Sequence, residues 1–481
     1  MGGDRAETYL RLLAEAQLRR AGEQLRALDA VPGMSDRPDP GMKPFTIAES
    51  TLWKVIRARR ILEFAGALNT NDLIPLIADL HAAIQVRSRI LLNWDRRRGV
   101  LHRTLLSTPD APVPLVRPVQ AMRVTPVGRA FRVTSDRARL ALHFLSLVRT
   151  ETEAMITVVM RIHWPHGVST TYQAVTGAGP HHLPYDEIWA VDDEGTRYTV
   201  RFEPGKAGTA TWRGIARLSP VPPHRVRRLD LIGDGTPLIQ LPLEPLAAPD
   251  PRAPPPSTEP APIPPADRLL VLEAERILAS GDARGPVQGP DPGEIITVLT
   301  ETGAIAVDSP APGRLAALCE RLGAAGHGIT VPAAAEIPPQ WASVIAQRDA
   351  PVPTGRPEVF APLADVLPEV DGARFALAGL SMAAAGSHLH VVSSGMPPLA
   401  ERFAYNWQPG FSWWLADDTG NWHVAAAGEP CTYGDGAQAF QLQLTPPLAA
   451  VPDVAEVVVT GPTTRVRAAI PVRRSARRRR T

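Results

Sequence analysis

The stretch Ile188-Trp-Ala-Val-Asp-Asp-Glu-Gly195 decides the fold, because it recurs as Trp413-Trp-Leu-Ala-Asp-Asp-Thr-Gly420. The two stretches align without gaps, with Trp189 on Trp414 and with the acidic pair and the glycine on their counterparts. Alternating side chains indicate a β-strand, and Asp-Asp-x-Gly is typical of a hairpin turn. We therefore expect the same hairpin twice, with each matched tryptophan anchoring the core of its copy.

Further matches occur in the same order on both sides of this hairpin, and their spacings drift by a few residues, as loop insertions do. The matched pairs are Leu145-Ser-Leu147 with Leu380-Ser-Met382, Leu218-Ser-Pro220 with Leu444-Thr-Pro446, Leu229-Asp-Leu-Ile-Gly233 with Val457-Val-Val-Thr-Gly461, and Leu241-Pro242 with Ile470-Pro471. The sequence thus predicts a β-rich module of roughly 100 residues in two copies. We expect copies 120–245 and 357–473 to be antiparallel β-sandwiches, since short strand patterns alternate there with turn residues.

Both copies resemble the immunoglobulin and fibronectin type III sandwich in length, in strand number and in a tryptophan at one strand position. The resemblance covers about half of the chain and implies a fold rather than a function. No antibody-type disulfide accompanies it, because the two cysteines, Cys319 and Cys431, lie in different segments.

The remaining sequence predicts helices and connectors. Residues 1–30 are typical of an amphipathic helix and residues 46–100 of a basic helical hairpin. Nine prolines within 249–265 predict an extended linker, residues 266–350 a small α+β segment, and the arginine-rich tail 474–481 disorder. The expected fold class is multidomain α+β: an N-terminal helical region and two immunoglobulin-like antiparallel β-sandwiches with the small α+β segment between them.

Composition limits the class of protein. The chain has 481 residues and 51 prolines, and its basic residues are arginines except for Lys43, Lys54 and Lys206. This bias is typical of a GC-rich, actinobacterial-type genome. The N-terminus lacks the pattern of a signal peptide, and no apolar run has the length of a membrane span. We therefore expect a cytoplasmic protein that is not inserted in a membrane.

Clustered arginines near the N-terminus are the candidate binding residues for an anionic partner. They are Arg57, Arg59, Arg60, Arg96, Arg97 and Arg98. Guanidinium groups neutralise phosphates or carboxylates, so nucleic acid and acidic protein are both open. The alternative is a solvated helical face.

Two histidines are the weak candidates for a metal site. His388 and His390 are two residues apart, so on a strand they share a face, and His423 could be a third ligand. The alternative is a pair of hydrogen-bonded structural histidines. The Asp192–Asp193 and Asp417–Asp418 pairs could likewise hold a cation, although the hairpin turn already explains them.

The sequence contains no nucleophile elbow, phosphate loop or H-E-x-x-H motif, so we expect no cofactor and no enzyme activity. The expected function is a non-enzymatic protein–protein interaction or scaffold protein, a subunit or accessory of a larger assembly that binds protein partners and could form a homo-oligomer. The first alternative is a nucleic-acid-associated factor that uses the basic helices and tail. The second is a metal-dependent hydrolase that uses His388 and His390.

Overall fold

A computed structural model describes eight stretches of the chain. They are 119–165 (without 136 and 137), 178–243 (without 204 and 209), 255–279 (without 263 and 264), 306–321 (without 307), 337–348, 358–395 (without 384 and 385), 411–427, and 437–472 (without 462). The predicted N-terminal helices, the six candidate arginines and the tail lie outside these stretches.

The α+β prediction is wrong for the part of the chain that the structure describes. These residues are 56% strand and 14% helix, with three short helices. Part of the predicted linker is itself a strand, and the predicted α+β segment contributes helices only within its described residues. The linker prediction missed this strand because proline fixes φ at a value that an extended strand also allows. A proline-rich stretch can therefore join a sheet at its edge.

The first module is one antiparallel sheet that encloses its own core. Its continuous path is β1-β2-β3-β7-β5-β4-β8-β9, and β6 pairs with β7. The strands are β1 (Arg123–Thr134), β2 (Arg139–Arg149), β3 (Ala154–His163), β4 (Ile188–Asp192), β5 (Arg197–Phe202), β6 (Lys206–Ala207), β7 (Thr211–Ser219), β8 (Arg228–Gly233) and β9 (Thr236–Pro242). Strand β5 pairs with β4 at one end and with β7 at the other, so the path bends around the apolar side chains inside.

The second module repeats this plan. Its sheet runs β10-β18-β17-β14-β15-β16-β13-β12-β11. The strands are β10 (Ser257–Pro260), β11 (Val359–Val366), β12 (Arg374–Ala383), β13 (Gly386–Ser394), β14 (Ser412–Ala416), β15 (Trp422–Ala427), β16 (Gln438–Thr445), β17 (Val454–Thr460) and β18 (Thr464–Pro471). Without β10 and β6, the two paths place the strands of each module in the same order, which is the order of the sequence repeat.

The copies also agree in irregular details. The first strand pair of each module slips at one place, after Pro126 in β1 and after Pro362 in β11. The peptide bonds before Pro220 and Pro446 are both cis. Each second strand carries a one-residue bulge where it pairs with the third strand, between Phe144 and Leu147 or between Leu377 and Gly379. A bulge displaces one residue from the ladder, and both modules have it at the same place.

Strand register corrects two of the sequence matches by two residues. In the hairpin alignment, Ala190 corresponds to Leu415. Leu231 lies opposite Ala190 and Val457 lies opposite Leu415, so Leu231 and Val457 are equivalent. Leu147 is equivalent to Leu380 by the same reasoning. The β17–β18 hairpin is longer than β8–β9, and matching the glycines at the two turns therefore shifts the strands.

Trp189 and Trp414 lie outside the apolar clusters at the centres of their modules, which corrects the predicted core anchors, although Trp414 is itself buried. Trp413 and Leu415 point into the core of the second module. Trp414 points away from that core, because side chains alternate along a strand, and it packs edge-on against Trp422 at 6.3 Å. In the first module Trp189 is half-buried beneath the Arg197 guanidinium, 4.3 Å from the ring centre.

The three helices are α1 (Pro265–Ala279), α2 (Ala311–Arg321) and α3 (Pro339–Arg348). The chain divides into two compact units; α1 and α2 pack together in one, and both modules and α3 belong to the other. Helix α3 packs against β15, where Ser343 Oγ accepts a hydrogen bond from the Trp422 amide at 3.2 Å. None of these helices is long and apolar enough for a membrane span.

Candidate functional site

The two modules contact each other through matching elements. Strand β1 contacts β11, β2 contacts β12, and β7 contacts β16. A contact in which each element meets its own counterpart has the geometry of a twofold, isologous interface. The duplicated modules are therefore arranged like the two subunits of a symmetric dimer, within one chain.

Close backbone approach holds this contact together. A side chain on Gly379 would begin 2.5 Å from Leu145 Cδ1, so only glycine leaves room for that leucine. Ser146 Oγ donates to the Leu363 carbonyl at 2.5 Å, and Ala437 N donates to Glu153 Oε2 at 2.6 Å.

One half of the interface is apolar. Val148, Met155 and Ile215 of the first module form a buried cluster with Ala376, Val392 and Ala439 of the second. None of these side chains carries a group that requires a hydrogen bond, so this half contributes hydrophobic burial.

The other half is polar, although it uses the equivalent positions. Register places Ser381, His388 and Gln441 where the first module has Val148, Met155 and Ile215. All three are buried. On the first module, His143 and Arg213 stand where the second module has two alanines. We define the polar half by five of these residues and His390, which shares their face: His143, Arg213, Ser381, His388, His390 and Gln441.

His390 is the most enclosed ionisable group of the polar half. Its Nε2 lies 2.9 Å from Ser381 Oγ, and its side chain is 2% exposed. Burial and the positive charge of Arg213 lower its pKa to about 3. The imidazole is therefore neutral at neutral pH and a weak base.

His143 has a similar environment on the first module. Its ring stacks on Phe360 with a centroid separation of 3.9 Å. Burial lowers its pKa to about 4, with Arg161 and Arg132 adding repulsion of the protonated form. Arg161 also forms an ion pair with Glu358. Both histidines therefore fill the interface as neutral hydrogen-bonding or stacking groups.

His388 and His390 do share a face of β13, as the sequence predicts, but His423 is not near that face. His423 lies directly opposite Leu415 and points toward the core, and its Nδ1 lies 2.6 Å from the Pro446 carbonyl oxygen. Within the described stretches, no group of three or more His, Cys, Asp or Glu side chains could hold a metal ion.

The acidic pairs serve the hairpin turns, which confirms the turn interpretation. Asp192 Oδ1 accepts bonds from the amides of Glu194 and Thr196 at 2.9 and 2.7 Å. Asp417 Oδ1 accepts from Thr419 and Asn421 at 3.0 and 2.9 Å. Burial tends to raise the pKa of both carboxyls, but hydrogen bonds from a hydroxyl (Tyr198 to Asp192, Thr419 to Asp417) and from these amides outweigh it and lower the pKa.

The second oxygen of each turn carboxylate meets a different partner in the two modules. Tyr198 donates to Asp192 Oδ2 at 2.6 Å, and His423 occupies the equivalent position with Nε2 3.7 Å from Asp417 Oδ2. Burial and the Asp192 hydrogen bond raise the pKa of Tyr198 to about 12. These residues stabilise the turns and lie inside their modules.

Comparisons of this chain with known proteins found no match. No family model, no curated protein and no solved structure matches it. The strand order, the interface and the sheet edges are therefore the observations on which its function is inferred.

Proposed function

We propose that this chain is a non-enzymatic protein–protein interaction or scaffold protein, built on a fused pair of immunoglobulin-like modules. Strand order supports the likeness. Leaving out β6 and β10, and counting the second to the eighth remaining strand of each module as A to G, gives the neighbours A-B-E-D and C-F-G, with C and D also paired. A-B-E-D and C-F-G are the two sheets of the immunoglobulin fold. The extra first strand of each module takes part in the inter-module contact, together with β2, β7, β12 and β16.

The observation that carries this proposal is the pairing of β10 with β18. A short extended segment, Ser257–Pro260, adds to the edge of a finished sheet. Strand addition to a sheet edge is a general mode of peptide recognition, and the chain performs it within itself.

The buried histidines favour a structural role over hydrolysis. Ser381 and His390 are hydrogen-bonded but buried together against the first module. A general base acts best with a pKa near the working pH, whereas the pKa of His390 is about 3.

Affinity capture with the full chain as bait tests the proposal. We expect mass spectrometry to identify the same protein partner in independent preparations from the native host. A variant with the edge arginines reversed, Arg465→Glu with Arg467→Glu, is the matched control. Failure to recover any reproducible partner would contradict the scaffold function.

A further inference from the structure

Strand β10 is held by its backbone alone. It runs antiparallel to β18, with Glu259 opposite Arg465 and Ser257 opposite Arg467. The ladder continues where the Ala261 amide donates to the Thr463 carbonyl at 2.8 Å. All four residues of β10 are exposed, so the strand contributes no side chain to the core of the module.

The direction of the backbone groups follows from the neighbouring hairpin. The Gly461 amide donates to the Thr464 carbonyl at 2.8 Å, so Thr464 turns its polar groups toward β17. Because hydrogen-bonded and non-bonded residues alternate in antiparallel pairs, Arg465 and Arg467 turn theirs outward, toward β10. Ser257 and Glu259 thus make the ladder bonds, and the missing N–H of Pro260 falls where no bond is needed.

The same alternation makes β10 a poor template for another strand. Of its four residues, Thr258 alone can point an amide away from β18, because Pro260 has none. Prolines and short edge strands protect sheet edges from further pairing. Strand β10 therefore closes the edge of the second sheet.

This closure is weak in energy. Each ladder hydrogen bond contributes little net stability, since the same groups bind water when separated. Strand β10 adds no buried apolar side chain to those bonds, whereas β18 places Val466, Ala468 and Ile470 in the core. A segment held in this way can be exchanged for another that makes the same bonds.

The charge of the edge selects what could replace β10. Arg465 and Arg467 alternate along it, and directly opposite side chains share a face of the sheet. Arg467 Nε already donates to Glu456 at 2.7 Å, whereas Glu259 lies across from Arg465. An incoming strand is favoured when it places a carboxylate opposite Arg465.

The corresponding edge of the first module is closed by a different device. Strand β9 has Pro237 near its start and a register shift at Leu238. Gly233 and Thr236 are the pair that closes the turn, so the backbone of Thr236 faces β8 and that of the next residue, Pro237, faces away from it. Proline has no N–H, so this outward position offers no hydrogen-bond donor. Among the described residues, no strand pairs with the outer side of β9.

We propose that the outer edge of β18 is a peptide-binding site whose in-chain occupant, β10, is replaced by an extended acidic segment of a partner protein. This inference rests on the proposed interaction function and names its recognition mode. The acidic residue of the partner lies opposite Arg465, and its amide makes a ladder bond. Within the described residues, the outer edge of β9 offers no equivalent site, because Pro237 and the bulge interrupt its row of outward amides.

The test frees the edge within the full chain. The double variant Ser257→Pro with Glu259→Pro removes both ladder donors of β10. Its matched control is Thr258→Pro, which removes the outward amide only. The probe is a fluorescent peptide with the sequence of residues 255–262, and its binding is measured by fluorescence anisotropy.

We expect the probe to bind the double variant at least about tenfold more tightly than wild type or Thr258→Pro, because a competing occupant lowers the fraction of open sites. Hydrogen exchange at Arg465 and Arg467 should be faster in the double variant and slow again with peptide. A probe with proline in place of its glutamate should lose this binding.

Three results would overturn the inference. They are equal binding to wild type and double variant, equal binding of the proline-containing probe, and a dimer of the double variant that the probe does not dissociate. The last result would assign the edge to a second copy of the chain. Since the experiment requires no cellular partner, its outcome is independent of the capture experiment.

Discussion

The two modules have one strand order and opposite chemistry where they meet. The first contributes Val148 and Met155, and the second places Ser381 and His388 at the equivalent positions. Topology depends on strand order and on the inward-facing apolar side chains, which both modules keep. The outward faces are free to differ once they lie in one chain, because a change in one copy is no longer repeated in its partner.

The largest effect should come from charging the apolar half. Met155→Asp buries a carboxylate in the apolar cluster, and Arg217 opposite it is already paired with Glu153 and Glu203. The free energy of unfolding should therefore fall by roughly 3–5 kcal/mol. Chemical denaturation measures the loss. Val454→Asp, at an exposed apolar side chain, is the control and should change stability by less than about 0.5 kcal/mol. Similar values for the two variants would mean that the apolar half does not hold the modules together.

Acid should act on the polar half. The pKa of His390 is about 3 in the folded protein against 6.5 for a free histidine, so below pH 6.5 the unfolded chain binds more protons and stability falls. His390→Thr gives the second module the residue of the first. Between pH 7 and pH 5 it should remove roughly 2 kcal/mol of pH dependence. The two stability curves should then differ in slope; parallel curves would contradict burial of a neutral His390.

Gly379→Ala tests the close approach of the modules. The added methyl meets Leu145, and overpacking of this kind should cost roughly 1.5 kcal/mol. Adding Leu145→Ala makes room for the methyl, so the double variant should be more stable than the sum of the single changes predicts. Additive effects in a double-mutant cycle would mean that residues 145 and 379 do not contact each other.

The smallest difference should lie in the turns. Asp192→Asn weakens the 2.6 Å bond from Tyr198, whereas the second carboxylate oxygen of Asp417 accepts a long bond from Asn421 Nδ2 at 3.4 Å and lies 3.7 Å from His423. Asp192→Asn should therefore destabilise more than Asp417→Asn by about 1 kcal/mol. Thermal unfolding of the two variants side by side measures the difference, and the reverse order would contradict the hydrogen-bond assignment.

The sequence was sufficient to find the repeated hairpin and its turn. The signal was local there, because Asp192 and Asp417 bond to amides a few residues away. No local signal showed on which side of the sheet the Trp414 side chain lies. Alternation shows which side chains share a face but not which face is turned toward the core. Bulges and unequal hairpins change register without changing composition, so matches made along the chain slipped by two residues.

The candidate site depended on longer-range geometry still. His388 and His390 were identified as one face of a strand, and that face lies against the other module. Nothing in the pattern of either copy indicates a contact between copies, because an outward apolar residue such as Met155 looks like any core residue. The strand Ser257–Pro260 was hidden for a related reason, since edge pairing uses backbone groups that every residue has.

Pro237 also has a consequence for stoichiometry. A symmetric pair of modules presents every surface twice, and a ligand of one edge would fill both. In this chain one edge accepts a strand and its counterpart does not, so a strand-shaped partner would be held once per molecule and in one direction. A proline at the start of one strand thus makes the two equivalent sheet edges different for a partner that binds as a strand.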